Sequence, residues 1–593
     1  MQRIKLLEEL RKKIKEENLN AFIIPSNDPH QSEYVANCWK SITWISGFTG
    51  SAANAIITDT HAGLWTDSRY FIQAEEELKA SPFELHKLLV PHTAEHIDWL
   101  KNNLKKGDNV GLDGDLYSKA KIKAIKAVFE AAELNLVICD NFLDSVWSDR
   151  PALPKNQIFA LPQKFTGLSR KSKISQICDK LSGDGNSHFF ISSLDDIAWI
   201  FNLRGSDVDY NPVFLAYAII GKDKSMLFLD NSKLTDGLEK TLKSDNVEVL
   251  PYDQIDIVLA SLSGNVALDP NTTSIKHYDL LDPALIKEVS SYSQHMKGIK
   301  NQTEISNTRK AMISDGVALT CLYMWLEVNH KDGNPITEVE VADKLAGYRA
   351  EQENYFGESF GAIVGFKGNG AIVHYHAETN KCATIQGEGM MLLDSGGQYH
   401  TGTTDITRTT YFGTPSQEHK SAYTAVLKGN IALDQICFPK GTRGYQVEVL
   451  ARQFLWSHGL NYGHGTGHGV GYFLNVHEGP QSISSMAGGK SSTPLAVGMI
   501  TSNEPGFYKA DDYGIRIENL VLVVEDQKTA YGEFLKFETL TLFPIATNLI
   551  DFSVLSKTDV EWLNAYHKKV NETLSPFLNE SQKAWMVERC KEV

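Results

Sequence analysis

Four carboxylates and one imidazole stand in unusual short contexts in the last third of the chain. They are Asp394 and Asp405 in MMLLDSGGQYHTGTTDITRT, His468 in HGTGHGVG, Glu504 in SNEPGFY and Glu518 in GIRIENL. Hard oxygen donors in that proportion suit a pair of small divalent ions, of Mn²⁺ or Co²⁺ type, better than a thiolate zinc site or a lone catalytic zinc. Two such ions a few ångströms apart repel, and acidic ligands that bridge them offset the repulsion. The chemistry served by such a pair is hydrolysis: it yields a hydroxide at neutral pH and clamps the oxygen of the bond being cut.

The elements that must carry these groups can be read around them. Asp394 closes an apolar, strand-like run, and Asp405 lies in a Thr-rich one. The Gly-containing stretch between them reads as a hairpin turn that aims both carboxylates at one point. Glycines around His464 and His468 argue against a helix and suit a backbone that packs close to something. One of these histidines then serves as ligand and the other as hydrogen-bond donor. No Glu follows His464, which excludes HEXXH zinc chemistry. His477, in NVHEGP, is a third candidate, and His374, in GAIVHYHAE, follows an apolar strand. Glu504 precedes a Pro505-Gly506 turn after the strand-like VGMITSN. Glu518 sits in the strand-like GIRIENLVLVV, where a carboxylate is costly to bury unless paired or metal-bound. Arg516, two residues earlier, points to the same strand face and supports a ligand carboxylate.

The remaining composition narrows the class. The 593 residues suggest three or four domains, each able to bury a core. A net charge of −15 with no dense Lys/Arg stripe argues against nucleic acid as a partner. Seven scattered cysteines without a CxxC pair suggest buried thiols in a reducing compartment, hence a cytoplasmic location. The N-terminus is charged with apolar residues at helical spacing, unlike a signal peptide, and no apolar run is long enough to predict a membrane span.

Along the chain, a helix near residues 2–17 leads into the strand NAFIIPS and an alternating α/β pattern to about residue 150. DRPALPKNQ (149–157) is a Pro-containing break. A second α/β unit follows, and WKSITWISGFTGSAANAIIT faintly repeats in LDDIAWIFNLRGSDVDYNPVFLAYAII, a pattern consistent with module duplication. Near residue 297 a long helical pattern begins, with Asn301 as N-cap and Glu304 three residues on. Strand pairs and helices alternate from there to about 545, and FLKFETLTLFPI leads to a short helical tail. The expected division is 1–153, 154–296, 297–545 and 546–593.

These motifs resemble those of the metallopeptidase family that contains methionine aminopeptidase, prolidase, creatinase and aminopeptidase P. The ligand order Asp, Asp, His, Glu, Glu matches throughout. GAIVHYHAE, HGTGHGVGYFLNVHEGP, GFTGSAANAII, LWTDSRYFIQA and FETLTLFPI are most similar to the long, three-domain aminopeptidase P branch. The resemblance implies two duplicated α/β domains of the creatinase N-terminal type and an α+β pita-bread catalytic domain. It implies that Asp394 binds one metal, that Asp405 and Glu518 bridge both, and that His468 and Glu504 complete the other. It also implies that His374, His464 and His477 line the substrate site and assist proton movement and oxyanion stabilisation. Glu504 relays a proton, and Arg69 of TDSRY, Tyr508 and Arg516 are further substrate contacts, with His468 beside them. The activity implied is hydrolysis of the N-terminal Xaa-Pro bond of peptides by a hydroxide bridging two divalent ions. Mn²⁺ suits the site best, with Co²⁺ and Zn²⁺ as alternatives, and a homodimer is expected, with no membrane partner. A prolidase cutting only dipeptides, or a non-catalytic peptide-binding relative, are the competing readings.

Overall fold

The computed structural model describes residues 2–89 and 94–593. By compactness the chain divides into two units, Met1–Pro162 with Leu168–Ser293, and Gln163–Gly167 with Gln294–Val593.

The first unit opens with helix Gln2–Glu16, which buries Leu7, Leu10 and Ile14 at helical spacing. Its first sheet comprises β1 (Ala21–Pro25), β2 (Ala53–Thr58), β3 (Ala62–Thr66), β4 (Glu84–Lys87), β5 (Asn109–Asp113) and β6 (Asn135–Cys139), in the order β4-β3-β2-β1-β5-β6. The central β1–β2 and β2–β3 pairs are antiparallel, and β3–β4, β1–β5 and β5–β6 are parallel. The second sheet comprises β7 (His188–Ile191), β8 (Tyr217–Gly221), β9 (Ser225–Phe228), β10 (Val247–Leu250), β11 (Val266–Leu268) and β12 (Ile286–Glu288). Its order is β10-β9-β8-β7-β11-β12, with the same directions at every matching pair. Duplication is therefore explicit in the topology. The faint sequence repeat marks its most alike part. Helix Ser41–Ser46 ends at a left-handed Gly47 before β2, and helix Leu194–Phe201 ends at a left-handed Asn202 before β8.

The second unit begins with helix Gln302–Lys331, started by the expected capping box of Asn301 and Glu304. By length and composition this helix could cross a membrane, contrary to the sequence expectation. Its apolar residues instead fill the unit's core, with Ile305, Met312, Leu319, Leu322 and Leu326 buried. A three-stranded antiparallel sheet orders Ile363–Phe366, Gly389–Ser395 and Ile406–Phe412. A six-stranded antiparallel sheet orders Cys437–Pro439, Gly532–Thr539, Asn519–Thr529, Ile500–Asn503, Gly467–Gly469 and Glu478–Ile483. Helices Gln417–Asp434 and Val449–Trp456 pack with them.

The C-terminal segment is more than the short tail expected. Helices Lys557–Leu574 and Glu580–Arg589 place Leu563, Tyr566, Val570, Leu574 and Met586 in the unit's main core. All seven cysteines are unpaired, but Cys38 alone is fully buried and Cys437 is exposed.

Candidate metal centre

The five candidate ligands lie on, or next to, strands of the three-stranded and six-stranded sheets of the second unit. Asp394 lies opposite Thr407 in the register of Gly389–Ser395 and Ile406–Phe412. Asp405 precedes Ile406 and shares a face with Thr407, so the two aspartates sit diagonally on one face of paired strands. Their connection is longer than a hairpin turn: it folds into short strands Gly397–Tyr399 and Gly402–Thr403, joined to Tyr355–Glu358. Glu518 lies in a break that the continuous strand reading missed. Tyr513–Arg516 and Asn519–Thr529 belong to different sheets, and Ile517-Glu518 carries the chain between them. Glu504 follows strand Ile500–Asn503, as expected.

The glycines around His468 have a steric reason. A Cβ on Gly467 would stand 2.0 Å from the Ser502 carbonyl oxygen, and one on Gly469 would stand 2.3 Å from that of Glu478. Strand Gly467–Gly469 thereby lies tight between its neighbours and presents His468. Its Nδ1–H donates to Gly469 O (3.0 Å), which leaves Nε2 as the ring nitrogen aimed at the carboxylates. That Nε2 stands 3.4 Å from Asp405 Oδ2 and 3.6 Å from Glu504 Oε1. Donor atoms of Asp405, His468 and Glu518 all lie within 4.8 Å of one another.

The electrostatics fit cations. Burial, then the charges of Asp405, Asp394 and Glu504, push the Glu518 carboxyl well above the usual range. Burial also raises Asp394 and Glu504, against the pull of Arg516 on the first and of His468 and Arg516 on the second. Burial works to lower His468, but hydrogen bonding to Asp405 and the charges of Glu504 and Asp405 carry it up to about 9. Asp394 Oδ1 is buried with no hydrogen-bond donor, the condition of an oxygen kept for a cation. Four mutually repelling carboxylates with one imidazole nitrogen facing them fit divalent ions, which would take the place of the proton on that nitrogen.

A shell of hydrogen bonds fixes these ligands. Thr407 Oγ1 donates to Glu518 Oε2 (2.7 Å) and accepts from Arg516 Nε (3.1 Å). Ser502 Oγ accepts from the His468 amide (2.9 Å) and donates to Glu504 Oε1 (3.2 Å). Arg516 is fully buried, and its Nη2 donates to Asp394 Oδ2 (2.5 Å) while its Nη1 donates to Tyr508 OH (2.6 Å). Arg516 thus reaches the centre from the end of one strand, and Glu518 from the break that follows it. His464 Nδ1 donates to Gly465 O (2.8 Å), so Nε2 accepts from Tyr508 OH (2.8 Å). Asp394, Arg516, Tyr508 and His464 form one chain of hydrogen bonds.

His477 packs edge-on against His468, ring centroids 4.3 Å apart. His374 follows a 3₁₀ turn (Lys367–Ala371) and lies in a turn, half-buried, where the sequence suggested a strand end. Arg69, in the first unit, presents Nε and Nη2 to both oxygens of Asp67 at 2.8 Å.

Sequence reasoning missed Thr407, Ser502 and Arg408. The buried Arg408 donates to Glu518 O (2.6 Å), Asn519 Oδ1 (2.9 Å), Phe543 O (2.7 Å) and Tyr566 OH (2.8 Å), tying the strand break to the C-terminal helices. The signal available was an arginine inside a Thr-rich strand pattern, which needs buried acceptors.

Comparison with known proteins agrees with this architecture. Residues 306–525 match the model of metallopeptidase family M24, and residues 533–593 match that of the C-terminal region of peptidase M24. Residues 7–146 and 149–304 each match a creatinase/prolidase N-terminal domain. The chain is 41% identical to a probable Xaa-Pro aminopeptidase P of Laccaria bicolor, over 98% of this chain and 92% of that one. It is 42% identical to aminopeptidase P2 of Arabidopsis thaliana, over 95% and 84%. Its structure superposes on an X-prolyl aminopeptidase from Caenorhabditis elegans, described as a cytosolic enzyme with a di-nuclear active site, with a TM-score of 0.95, 33% identity and full coverage of both chains. A Xaa-Pro dipeptidase from Bacillus anthracis shares the fold over 64% of this chain (TM-score 0.51, 22% identity). With its duplicated N-terminal sheets and a catalytic unit of the pita-bread type, the chain belongs to metallopeptidase family M24.

Proposed function

We propose that the chain is a metal-dependent aminopeptidase that releases the N-terminal residue from peptides whose second residue is proline. The observation that carries this reading is the buried convergence of Asp405, His468 and Glu518, extended by Glu504 and by the donor-free oxygen of Asp394. Asp394, Asp405, His468, Glu504 and Glu518 would hold two divalent ions. When bound, such a pair lowers the pKa of water and polarises the scissile carbonyl. The preponderance of carboxylate oxygens favours Mn²⁺, with Co²⁺ and Zn²⁺ as alternatives.

The chain's own groups then divide the remaining work. Glu504 keeps 18% of its side chain exposed, against 5% for Asp405, which makes it the carboxylate best placed to pass a proton towards the departing proline nitrogen. His464, held by Tyr508, His477, against His468, and His374 face substrate and stabilise charge on the carbonyl oxygen. Arg516 acts through Asp394 and Tyr508 as a positioning residue. Arg69 is a peptide contact only if substrate displaces or shares its pairing with Asp67. Proline matters because its nitrogen carries no hydrogen and its ring fixes φ, so a site shaped for the ring recognises what general aminopeptidases handle poorly.

A prolidase reading rests on the shared catalytic fold, but the prolidase-type match leaves about a third of this chain uncovered. Hydrolysis of Xaa-Pro-Xaa and Xaa-Ala-Xaa tripeptides and of Xaa-Pro dipeptides, with Mn²⁺, Co²⁺ or Zn²⁺ added, tests the proposal. Tripeptide cleavage selective for proline is expected. Cleavage of dipeptides alone would establish the prolidase, and turnover of neither a non-catalytic relative. A homodimer in the cytoplasm is part of the proposal, supported by the resemblance and by the C. elegans enzyme's description as cytosolic. Light scattering checks the dimer.

A further inference from the structure

Far along the chain from these ligands, the edge of the first sheet gathers a second set of donors. Glu84 and His86 are two residues apart on β4 and so share one face, and His61 immediately precedes β3. The parallel β3–β4 register sets Gly63 opposite Glu84 and Trp65 opposite His86. His61 Nε2 and His86 Nε2 stand 3.2 Å apart. Two nitrogens bound to one tetrahedral zinc at about 2.0–2.1 Å stand about 3.3 Å from each other. The Glu84 oxygens lie 3.8 Å from His61 Nδ1 and 4.0 Å from His86 Nε2, on a side chain that is 69% exposed and free to swing.

Three features preorganise the imidazoles. His86 stacks on Trp65 (centroids 4.0 Å, planes 9° apart), and His61 stacks on Trp99 of helix Glu95–Asn103 (4.4 Å, 26°). Gly63 makes room for them: a Cβ there would come within 2.5 Å of His61 Nε2.

From this geometry we propose that His61, Glu84 and His86 form a further cation site, selective for zinc-class divalent ions and distinct from the carboxylate-rich centre. Two imidazoles and one carboxylate suit Zn²⁺, Ni²⁺ or Cu²⁺ better than Mn²⁺. Solvent completes the coordination, since the imidazoles keep 19% and 22% of their side chains exposed. The bound ion clasps β4, a short edge strand with no fully buried residue, to the start of β3.

The test uses the full chain with its catalytic centre loaded with Mn²⁺, dialysed against Zn²⁺, with metal counted by mass spectrometry. His61→Phe and His86→Phe keep a ring stacked on Trp99 or Trp65 but remove the donor, and Gly63→Ala displaces the His61 ring with every donor intact. Wild type should hold one more zinc per chain than each of the three variants, and Ni²⁺ should quench tryptophan fluorescence in wild type only. Peptidase activity should be equal in all four, which also certifies folding. Exchange of Zn²⁺ into the catalytic centre would occur alike in all four and cancels in the difference. Equal zinc content and equal quenching in wild type and variants would overturn the proposal and leave His61 and His86 as a hydrogen-bonded pair.

Discussion

Thr407→Val removes one oxygen atom and tests whether the shell around the carboxylates, rather than the ligands alone, sets metal affinity. Thr407 is fully buried, and valine keeps its volume and branching in a strand. The lost hydroxyl donates to Glu518 Oε2 at 2.7 Å and accepts from Arg516 Nε at 3.1 Å. Each hydrogen bond to a charged group contributes about 1.5–3 kcal/mol. Glu518 also loses the donor that orients it, because Arg516 and Arg408 reach other acceptors. Loss of one such orienting bond is expected to weaken metal binding about 10–100-fold, and at about 1.4 kcal/mol per decade this matches a single charged hydrogen bond. Titration of Mn²⁺ against a competing chelator measures it, and Thr407→Ser, which retains the hydroxyl, should recover most of the affinity. Wild-type affinity and turnover in Thr407→Val would show that Glu518 is held by something else.

Three further outcomes follow from named contacts. Asp405→Asn should lose both metal and activity, whereas His464→Ala should keep its metal and lose rate, because His464 bonds to Tyr508, which Arg516 links to Asp394; metal loss in the His464 variant would contradict this placement. His96 is buried with neither ring nitrogen bonded, and burial holds its pKa at about 3 against an ordinary 6.5. Below pH 6.5 the unfolded chain takes up a proton that the native chain refuses, so this residue costs about 1.4 kcal/mol of stability per pH unit down to about pH 3. His96→Phe should therefore raise the melting temperature and flatten its fall between about pH 6.5 and 5, and an unchanged pH slope would refute the burial argument. Tyr566→Phe should destabilise the second unit by about 1–3 kcal/mol, since it deprives Arg408 of an acceptor and the Phe543 carbonyl of a donor; a melting temperature equal to wild type would show that the C-terminal helices are held by apolar packing alone.

The parts of the fold written in local spacing were legible, and those set by non-local pairing were not. The capping box at Asn301 and Glu304 involves residues three apart, and the glycines beside His468 announced a tight approach before its partners, Ser502 and Glu478, were known. The strand break at Ile517-Glu518 was hidden because Ile515, Ile517 and Leu520 are apolar on both sides of it and all buried. Periodicity registers burial, not a change of sheet. The C-terminal helices read as a tail because their apolar face names no partner, and Arg408, which ties them in, lies 158 residues before Tyr566. GAIV is apolar enough to read as a strand leading to His374, while the backbone there turns through a 3₁₀ segment. The pairing of His61 with His86 depends on the parallel β3–β4 register, which no local pattern encodes.

The central claim is that Asp394, Asp405, His468, Glu504 and Glu518 hold two divalent ions and that the loaded centre drives peptide hydrolysis. Electron paramagnetic resonance during Mn²⁺ titration of the metal-free chain, with Xaa-Pro-Xaa turnover followed on the same samples, tests it most directly. The account predicts a spin-coupled pair signal that grows with the second equivalent of manganese, with turnover rising alongside it. Full turnover while only isolated Mn²⁺ is seen, or without bound metal, would contradict it.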